Sequence, residues 1–350
     1  MSAPVAPSAG QVVFVGIEGG GSHSVAHVLD GSGTLLATVD GPGTNLYLEG
    51  MDETVCRLQA LVSAALAAAA LPSGTVLRGL GVSSSGCEAA ETVRELEQRL
   101  LKLRPAITEH CAVCSDTGGI MATALDGGGV CLISGTGSNS LLLNPDGSVH
   151  RCGGWSYMLG EKASAWWVAY RAVKLLLEEE DGLRAPPHSS AVLRRCVLTY
   201  FDISDRFGLL EHAYTSFSKA RFAGLCRVLA EAALAGDPLC RRLFADAGRW
   251  LGRFVVALLP HVAEELRRAP GGLQMVAVGG VFNSWALLRD AFVAELTPKL
   301  DTFTVLKLEG SLALGAAYLA AKKAQFDLPH DLSNNTTVLH QQNSPAKDSS

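Results

Sequence analysis

The sequence predicts an α/β protein with two related domains. Apolar strands alternate with helical segments along the chain, which is the pattern of that class. One arrangement of three strands and two turns also occurs twice, roughly 115 residues apart, as an internal duplication would produce. The length of 350 residues suits two domains, and 48% hydrophobic against 18% charged residues provides for two cores.

The first unit starts with an apolar run at residues 12–17 that ends in three glycines, which is typical of a buried strand entering a tight turn. Residues 22–29 alternate polar and apolar side chains, and residues 34–39 form a third short strand after another turn. This pattern predicts an antiparallel meander, whereas a dinucleotide-binding fold would place a helix after the glycines. Asp52 is the predicted N-cap of the next helix, which Pro72 ends.

The same order of elements recurs in the second half of the chain. An apolar strand at residues 129–133 enters a turn at residues 134–138, and a strand follows at residues 139–143. A third strand then runs into Cys152, and a helix is predicted over residues 163–180. The remaining predicted elements are strands at 77–83, 107–114 and 273–278, helices at 88–103, 222–235, 238–258 and 262–268, a helix opening after Ser284, and a final helix at 310–321.

These elements predict an N-terminal domain at residues 12–125 and a larger C-terminal domain at residues 126–327. Residues 1–11 are predicted to be a flexible N-terminus. Residues 328–350 are mostly polar and show no periodicity, which predicts a disordered tail.

Composition argues against several classes of function. A net charge of −5 with no basic run disfavours nucleic acid as a partner, and no apolar stretch approaches the ~20 residues that cross a bilayer. Residues 1–11 lack the basic start and apolar core of a secretion signal, which predicts a cytoplasmic protein with reduced cysteines. Cys111 and Cys114 form a C-x-x-C without the second pair that zinc needs, so we expect core residues and no protein-held metal.

Two glycine-rich turns are candidate phosphate-binding sites. Gly19-Gly20-Gly21-Ser22 leaves backbone N–H groups uncovered beside a hydroxyl, although a plain hairpin turn is the alternative. The equivalent turn, residues 134–138, combines glycines with three hydroxyls. Two such turns, each at the end of a central strand, suit an enzyme that holds a polyphosphate from both sides of a cleft.

Three further positions are candidates for chemistry or binding. Asp116 follows a strand at the sheet edge where open α/β folds bind ligands, so it is the candidate base; a cap on the helix beginning near Gly119 is the alternative. The Gly279-Gly280 turn could hold a nucleotide or simply join a strand to a helix. Trp155 sits in a glycine turn and is a candidate aromatic platform, whereas most tryptophans are core residues.

With these motifs in order, residues 12–325 resemble the family of N-acetylglucosamine kinases, which belongs to the superfamily of sugar kinases, actin and heat-shock ATPases. The resemblance implies two ribonuclease-H-like (actin-like ATPase) domains with a central cleft. It also implies ATP-dependent phosphorylation of N-acetyl-D-glucosamine at the 6-hydroxyl. The matching motifs are Glu18-Gly19-Gly20-Gly21-Ser22, Gly43-Thr44-Asn45, Ser115-Asp116, residues 132–139, Asn144-Pro145-Asp146-Gly147, Cys152-Gly153-Gly154-Trp155, Ala185-Pro186-Pro187-His188 and Arg221-Phe222-Ala223-Gly224.

The resemblance implies roles for single residues as well. Asp116 would orient the 6-hydroxyl for attack on the γ-phosphorus, in a cytoplasmic homodimer that uses ATP with bound Mg²⁺. Ser22 and Thr136 would lie near the phosphates and Ala223 near the nucleoside. The complete candidate nucleotide set is Gly20, Gly21, Ser22, Gly135, Thr136, Gly137, Ala223, Gly279 and Gly280. The candidate sugar set is Asn45, Asp116, Ser138, Asn139, Gly154, Trp155, Ser156 and Glu161.

The chain departs from this family at one motif. Where the family reads Gly-Asp-Glu-Gly-Ser, this chain has Gly160-Glu161-Lys162-Ala163-Ser164, and the family's aspartate contacts the sugar. Glu161 is one methylene longer, so a sugar-binding protein with weak or lost kinase activity is the alternative function. An activator ATPase with an iron–sulfur cluster would need exposed, paired thiolates, which a C-x-x-C inside a predicted strand does not offer.

Overall fold

The computed structural model describes residues 12–343 and divides them into two α/β units. The first unit comprises residues 12–126 and 308–337, and the second comprises residues 127–307 and 338–343. The strands are β1 (Val13–Gly19), β2 (His23–Asp30), β3 (Leu35–Pro42), β4 (Gly79–Ser84), β5 (Cys111–Cys114), β6 (Gly129–Ser134), β7 (Ser138–Leu143), β8 (Val149–Gly153), β9 (Leu273–Val278), β10 (Phe303–Leu308) and β11 (Thr336–Gln342). The helices are α1 (Leu46–Glu49), α2 (Met51–Ala68), α3 (Ala90–Leu101), α4 (Asp116–Ala124), α5 (Ser156–Leu159), α6 (Ala165–Glu180), α7 (Ala191–Phe201), α8 (Leu209–Ala213), α9 (Lys219–Leu234), α10 (Pro238–Leu258), α11 (Glu264–Arg268), α12 (Trp285–Leu296) and α13 (Leu312–Lys323).

The two sheets share one topology, which confirms the predicted α/β class. In the first unit the strand order is β3-β2-β1-β4-β5, with antiparallel pairs in the meander and parallel pairs from β1 to β4 to β5. In the second unit β8-β7-β6-β9-β10 repeats that order and those directions, and β11 is added at the edge. The repeated topology supports the duplication that the two meanders predict.

The final helix belongs to the first unit, which corrects the predicted second domain at residues 126–327. Helix α13 packs on β1 and β4, and glycines in those strands allow its backbone to approach closely. A Cβ atom at Gly16 would collide with Ala313 O, and one at Gly81 would collide with Ala316 O. The glycines are local features of the sequence, but the helix that packs against them lies more than 200 residues further along the chain.

The predicted disordered tail is wrong for residues 328–343, because β11 forms the edge strand beside β10. The indole Nε1 of Trp285 donates to Leu339 O at 3.0 Å, and the Phe303 ring lies 5.6 Å from the His340 ring. Residues 344–350 and the predicted flexible N-terminus at residues 1–11 lie outside the described residues. Within the described chain, no helix combines the length and apolarity needed to cross a membrane.

The local predictions differ from the structure at one helix start and in several elements that the sequence does not predict. Helix α2 begins at Met51 with Gly50 as its N-cap, so Asp52 lies in the first turn instead of capping the helix. Its carboxylate still favours that end of the helix, where the backbone dipole is positive. Strands β10 and β11 and helices α7 and α8 have no counterpart among the predicted elements.

Candidate active site

The glycine turn of the first unit follows the carboxyl end of β1. Gly20 N donates to His23 O at 3.0 Å, which closes the turn, and Gly21 and Ser22 are exposed. Thr44 N donates to Gly20 O, also at 3.0 Å, and so fixes the segment after β3 against the turn. The predicted phosphate-binding turn of this unit is therefore an open loop with exposed backbone at the edge of the sheet.

Asn45 lies directly beside this turn. It is the N-cap of α1, and its Oδ1 accepts from Tyr47 N at 2.9 Å. The next residue, Leu46, donates its backbone N–H to Ser85 O at 3.3 Å. This bond ties the Asn45 segment to the residue that follows β4, so the two lie together at the carboxyl edge of the first sheet.

Asp116 occupies the same edge and does not cap a helix. Strands β4 and β5 are parallel neighbours, so the residues that follow them, Ser85 and Asp116, come close together. Helix α4 begins at Asp116, and Ser115 holds the N-cap position. The Asp116 Oδ2 atom accepts a hydrogen bond from Ser85 Oγ at 2.6 Å. Ser115, and not Asp116, occupies the N-cap position of α4, and this placement contradicts the interpretation of Asp116 as a capping residue.

The electrostatic environment makes Asp116 more basic than an ordinary aspartate. Burial raises the pKa of Asp116, and the negative charges of Glu88 and Glu18 raise it further, while the Ser85 hydrogen bond opposes them. The Glu18 carboxylate accepts from Ser311 Oγ at 3.0 Å and from Leu312 N at 3.1 Å, which fixes it at the start of α13. A raised pKa brings Asp116 closer to the range in which a general base is effective.

The second glycine turn joins β6 to β7 in the second unit. Gly135 N donates to Gly137 O at 2.9 Å, and the Thr136 side chain at the tip is exposed. The neighbouring parallel strand β9 is followed by Gly279, whose φ of +110° and close approach to Ser134 O both require the absence of a Cβ. Two of the predicted nucleotide turns, at residues 134–138 and 279–280, are therefore in contact.

The segment before α6 braces the second glycine turn. Hydroxyls at both ends of the turn donate to backbone carbonyls of this segment, and one backbone N–H of α6 donates back to the turn. The bonds are Ser134 Oγ to Ala163 O at 2.7 Å, Ser138 Oγ to Lys162 O at 2.8 Å and Ala165 N to Gly135 O at 2.8 Å. The Ser138 hydroxyl is thus used structurally, although the resemblance implies a sugar contact.

The predicted sugar residues of this unit lie where β7 meets the end of β8. Asn139 pairs with Gly153 across the two strands, and a Cβ atom at Gly154 would lie 2.8 Å from Asn139 Oδ1. Within the described chain, Asn139 Oδ1 is buried and has no hydrogen-bond partner. Trp155 is 65% exposed, and the guanidinium of Arg151 lies 5.5 Å from its ring centroid. An orphaned acceptor beside an exposed aromatic ring suits a polar ligand such as a sugar.

The loop after this tryptophan is conformationally strained. Ser156, Glu161 and Ala163 have φ values of +69°, +57° and +67°, a backbone region that residues other than glycine rarely adopt. Each such residue costs on the order of 1 kcal/mol, and such costs concentrate at functional sites. The strain therefore points to the loop at residues 155–163 as part of a binding site.

Glu161 forms an ion pair inside its own unit. Its carboxylate is buried, and Lys219 Nζ lies 2.9 Å from Oε1 and 2.8 Å from Oε2. Ser218 caps the start of α9, so Lys219 is the first residue of that helix. The neighbouring Lys162 places its Nζ 3.6 Å from the Trp250 ring centroid, a cation–π contact.

The other nucleotide candidates differ in accessibility. Ala223 lies in α9 and is only 4% exposed, so a ligand would contact the surface beside it and not its methyl group directly. Gly280 is exposed, and a Cβ atom there would meet no atom of the described residues within 4 Å. The space above the Gly279-Gly280 turn is thus open to a ligand.

Two residues at these sites, Ser85 and Lys219, were not predicted from the sequence. Ser85 belongs to the run Ser83-Ser84-Ser85-Gly86 after a buried strand, a hydroxyl and glycine pattern like that of residues 134–138, and this signal could have revealed it. Lys219 carries no comparable local signal, because its partner Glu161 lies 58 residues away in the sequence.

Cys111 and Cys114 do not offer the exposed, paired thiolates that an activator ATPase would need. Cys111 is 1% exposed, and burial raises the pKa of the Cys111 and Cys114 thiols to about 12. Both thiols therefore stay protonated at neutral pH and are poor nucleophiles and ligands. Among residues 12–343, no three His, Cys, Asp or Glu side chains are grouped in a way that could hold a metal ion.

The chain belongs to the BadF/BadG/BcrA/BcrD ATPase family, whose model matches residues 15–320. This assignment agrees with two units of repeated topology, each with a glycine turn after its first strand.

Individual relatives are sugar kinases. The chain is 26% identical over 312 residues to the N-acetylmuramic acid/N-acetylglucosamine kinase of Clostridium acetobutylicum, covering 87% of this chain and 97% of that protein. It is 24% identical over 330 residues to the N-acetyl-D-glucosamine kinase of Dictyostelium discoideum, covering 88% and 97%. A crystal structure from Chromobacterium violaceum, provisionally assigned as an N-acetylglucosamine kinase, shares 25% identity and a TM-score of 0.64 over 88% of this chain and 99% of that one.

Proposed function

We propose that this protein is an ATP-dependent sugar kinase that phosphorylates N-acetyl-D-glucosamine at its 6-hydroxyl and releases ADP. The observation that carries the proposal is Asp116, a half-buried carboxylate at the carboxyl edge of the first sheet, with a raised pKa and a hydrogen bond from Ser85. The two kinases that share about a quarter of their residues with this chain support the choice of substrate.

Asp116 accepts the proton of the sugar hydroxyl in the proposed reaction. The hydroxyl oxygen forms a bond to the γ-phosphorus, the bond from that phosphorus to the bridging oxygen of ADP breaks, and the proton passes to the carboxylate. Such a transition state is loose, so alignment of the hydroxyl matters more than its early deprotonation. The Ser85 hydrogen bond supplies this alignment, because it fixes the carboxylate in one orientation.

In addition to Asp116, the residues proposed to contact the sugar are Asn45, Ser138, Asn139, Gly154, Trp155 and Ser156. Asn139 has the strongest support from the structure, because its buried Oδ1 lacks a donor that a hydroxyl or acetamido N–H of the sugar would provide. The exposed Trp155 ring offers a flat apolar surface of the kind that packs against sugars.

The proposed nucleotide contacts lie in the two glycine turns, in the open Gly279-Gly280 turn and on the surface beside Ala223 in α9. They comprise Gly20, Gly21, Ser22, Gly135, Thr136, Gly137, Ala223, Gly279 and Gly280. The described residues offer no cage of protein ligands for a metal, so Mg²⁺ would enter with the ATP phosphates, where it neutralises their charge. We further propose that the enzyme works in the cytoplasm as a homodimer.

The decisive experiment incubates the protein with ATP, Mg²⁺ and N-acetylglucosamine and measures ADP release. Asp116→Ala should lower the rate of sugar-dependent ADP release by a factor of about 100 or more. ATP binding, measured by calorimetry, should persist. The exposed Asp327 provides a matched control, since Asp327→Ala should leave both measurements unchanged. Sugar binding without ADP production by the unmodified protein would favour the alternative of a sugar-binding protein.

A further inference from the structure

The ion pair between Glu161 and Lys219 lies against the second glycine turn. A Cβ atom at Gly137 would be 2.6 Å from Glu161 Oε1 and 3.4 Å from Lys219 Nζ. The absence of a side chain at Gly137 thus lets both charged groups approach the turn backbone. The bonds that brace the turn through residues 162–165 hold Glu161 in register with it.

The ammonium group of Lys219 retains capacity to bind a ligand. An ammonium carries three donors, and the carboxylate of Glu161 accepts at most two of them. The Lys219 side chain is 31% exposed while that of Glu161 is 9% exposed, so the positive partner is the one that solvent reaches. A dissolved anion therefore reaches the ammonium more readily than the carboxylate.

The position of Lys219 in its helix is electrostatically unfavourable without a counter-charge. It is the first residue of α9, where the helix dipole is positive and a lysine is disfavoured. The buried Glu161 carboxylate offsets that cost but itself requires the left-handed φ of +57°. Two locally unfavourable features are thus combined to keep one ammonium beside Gly137.

We infer that Lys219 binds a phosphate group of the nucleotide at the residue 134–138 turn, and that Glu161 positions Lys219 instead of contacting the sugar. The inference rests on the proposed function for the identity of the anion as a nucleoside polyphosphate. It assigns Glu161 a different role from the one that the resemblance implies.

The test compares nucleotide affinity with sugar affinity in four single variants. Calorimetry with MgADP in the absence of sugar measures the nucleotide affinity. The KM values for ATP and N-acetylglucosamine show which of the two substrates a variant affects. Lys219→Met should weaken MgADP binding about 10-fold to 100-fold and leave the sugar KM unchanged, and Lys219→Arg should restore most of the affinity. Glu161→Gln should weaken MgADP binding about 3-fold to 10-fold by releasing the ammonium. The exposed Lys299 is the control, because Lys299→Met should change neither affinity.

Two outcomes would overturn the inference. Unchanged MgADP affinity in Lys219→Met, together with an unchanged KM for ATP, would show that the ammonium does not contact the nucleotide. A raised sugar KM in Glu161→Gln with unchanged MgADP affinity would assign Glu161 to the sugar. Lys219→Met leaves a buried carboxylate unpaired, which could itself destabilise the protein. The double variant Glu161→Gln/Lys219→Met removes both charges, and it should bind MgADP as weakly as Lys219→Met does.

Failure of the inference is distinguishable from failure of the proposed function. MgADP binding requires no turnover, so it reports on Lys219 even if the unmodified protein phosphorylates no sugar. A protein that binds MgADP through Lys219 but releases no ADP from ATP and N-acetylglucosamine would contradict the proposed kinase alone.

Discussion

Ser85 Oγ donates a 2.6 Å hydrogen bond to Asp116 Oδ2, and this contact joins the ends of two neighbouring parallel strands. It fixes the direction of the carboxylate and lowers its pKa, against the larger effect of burial, which raises the pKa. The same serine accepts from Leu46 N through its carbonyl, next to Asn45. One residue thus links the proposed base to a proposed sugar contact within the first unit.

Ser85→Ala should lower kcat and shift the pH profile. Loss of the hydroxyl leaves the carboxylate less well oriented, and we expect kcat to fall about 3-fold to 30-fold. The hydrogen bond lowers the Asp116 pKa, so its loss raises that pKa, and the acidic limb of the kcat profile should move to higher pH. Ser63→Ala, at an exposed hydroxyl on α2, is the control. An unshifted limb would show that Asp116 is not the titrating group.

Asp116→Asn should stabilise the protein at neutral pH. The folded-state pKa of Asp116 is raised, so the folded chain binds a proton more tightly than the unfolded chain does. Ionised Asp116 therefore reduces the free energy of unfolding above the unfolded-state pKa, which is about 4 for aspartate. We expect Asn to gain about 1 kcal/mol at pH 7 and to lose this advantage below pH ~4. Urea unfolding at the two pH values measures the difference, and an equal gain at both would contradict this cause.

Asn139→Leu should separate stability from sugar affinity. The buried Oδ1 of Asn139 has no partner in the described chain, so replacing the amide with an apolar group of similar size removes an unsatisfied acceptor. Without sugar, we expect the free energy of unfolding of the variant to equal that of the unmodified protein or to exceed it by up to about 1 kcal/mol. Sugar affinity should fall about 10-fold or more. Thermal unfolding and calorimetry with N-acetylglucosamine measure the two quantities. Unchanged sugar affinity would remove Asn139 from the proposed site.

Two adjacent glycines should respond differently to alanine. Gly280→Ala places its methyl group in open space, so stability should be unchanged while MgADP affinity falls about 3-fold to 30-fold if the nucleotide packs there. Gly279→Ala combines a φ of +110° with a collision against Ser134 O, and it should destabilise the second unit by about 2 kcal/mol or more. Full MgADP affinity in Gly280→Ala would place the nucleotide elsewhere.

The sequence predicts local features of this protein well. The two meanders, their glycine turns and the position of Asp116 after β5 all follow from strand periodicity and turn chemistry, which act between near neighbours. The sequence predicts that Asp116 lies at the sheet edge, but its contact with Ser85 depends on the parallel pairing of β4 and β5. The Glu161–Lys219 pair is similarly non-local.

Two of the wrong predictions, the disordered tail and the unit to which α13 belongs, concern contacts between distant parts of the chain. Residues 336–342 are mostly polar, and β11 forms because β10 offers an open edge and Trp285 offers a donor to Leu339. Sequence order predicts that helix α13 belongs to the second unit, whereas Gly16 and Gly81 leave room for it on the first sheet. Neither contact has a signal within its own segment.

The placement of α13 sets an order of events during synthesis. Strands β1 and β4 emerge from the ribosome early, but the helix that packs on them is translated only after almost the whole second unit. Domains generally begin to fold as they are made, so the N-terminal unit must wait with apolar surface uncovered until residues 312–323 have been translated. A premature stop codon before residue 312 would consequently damage the beginning of the chain.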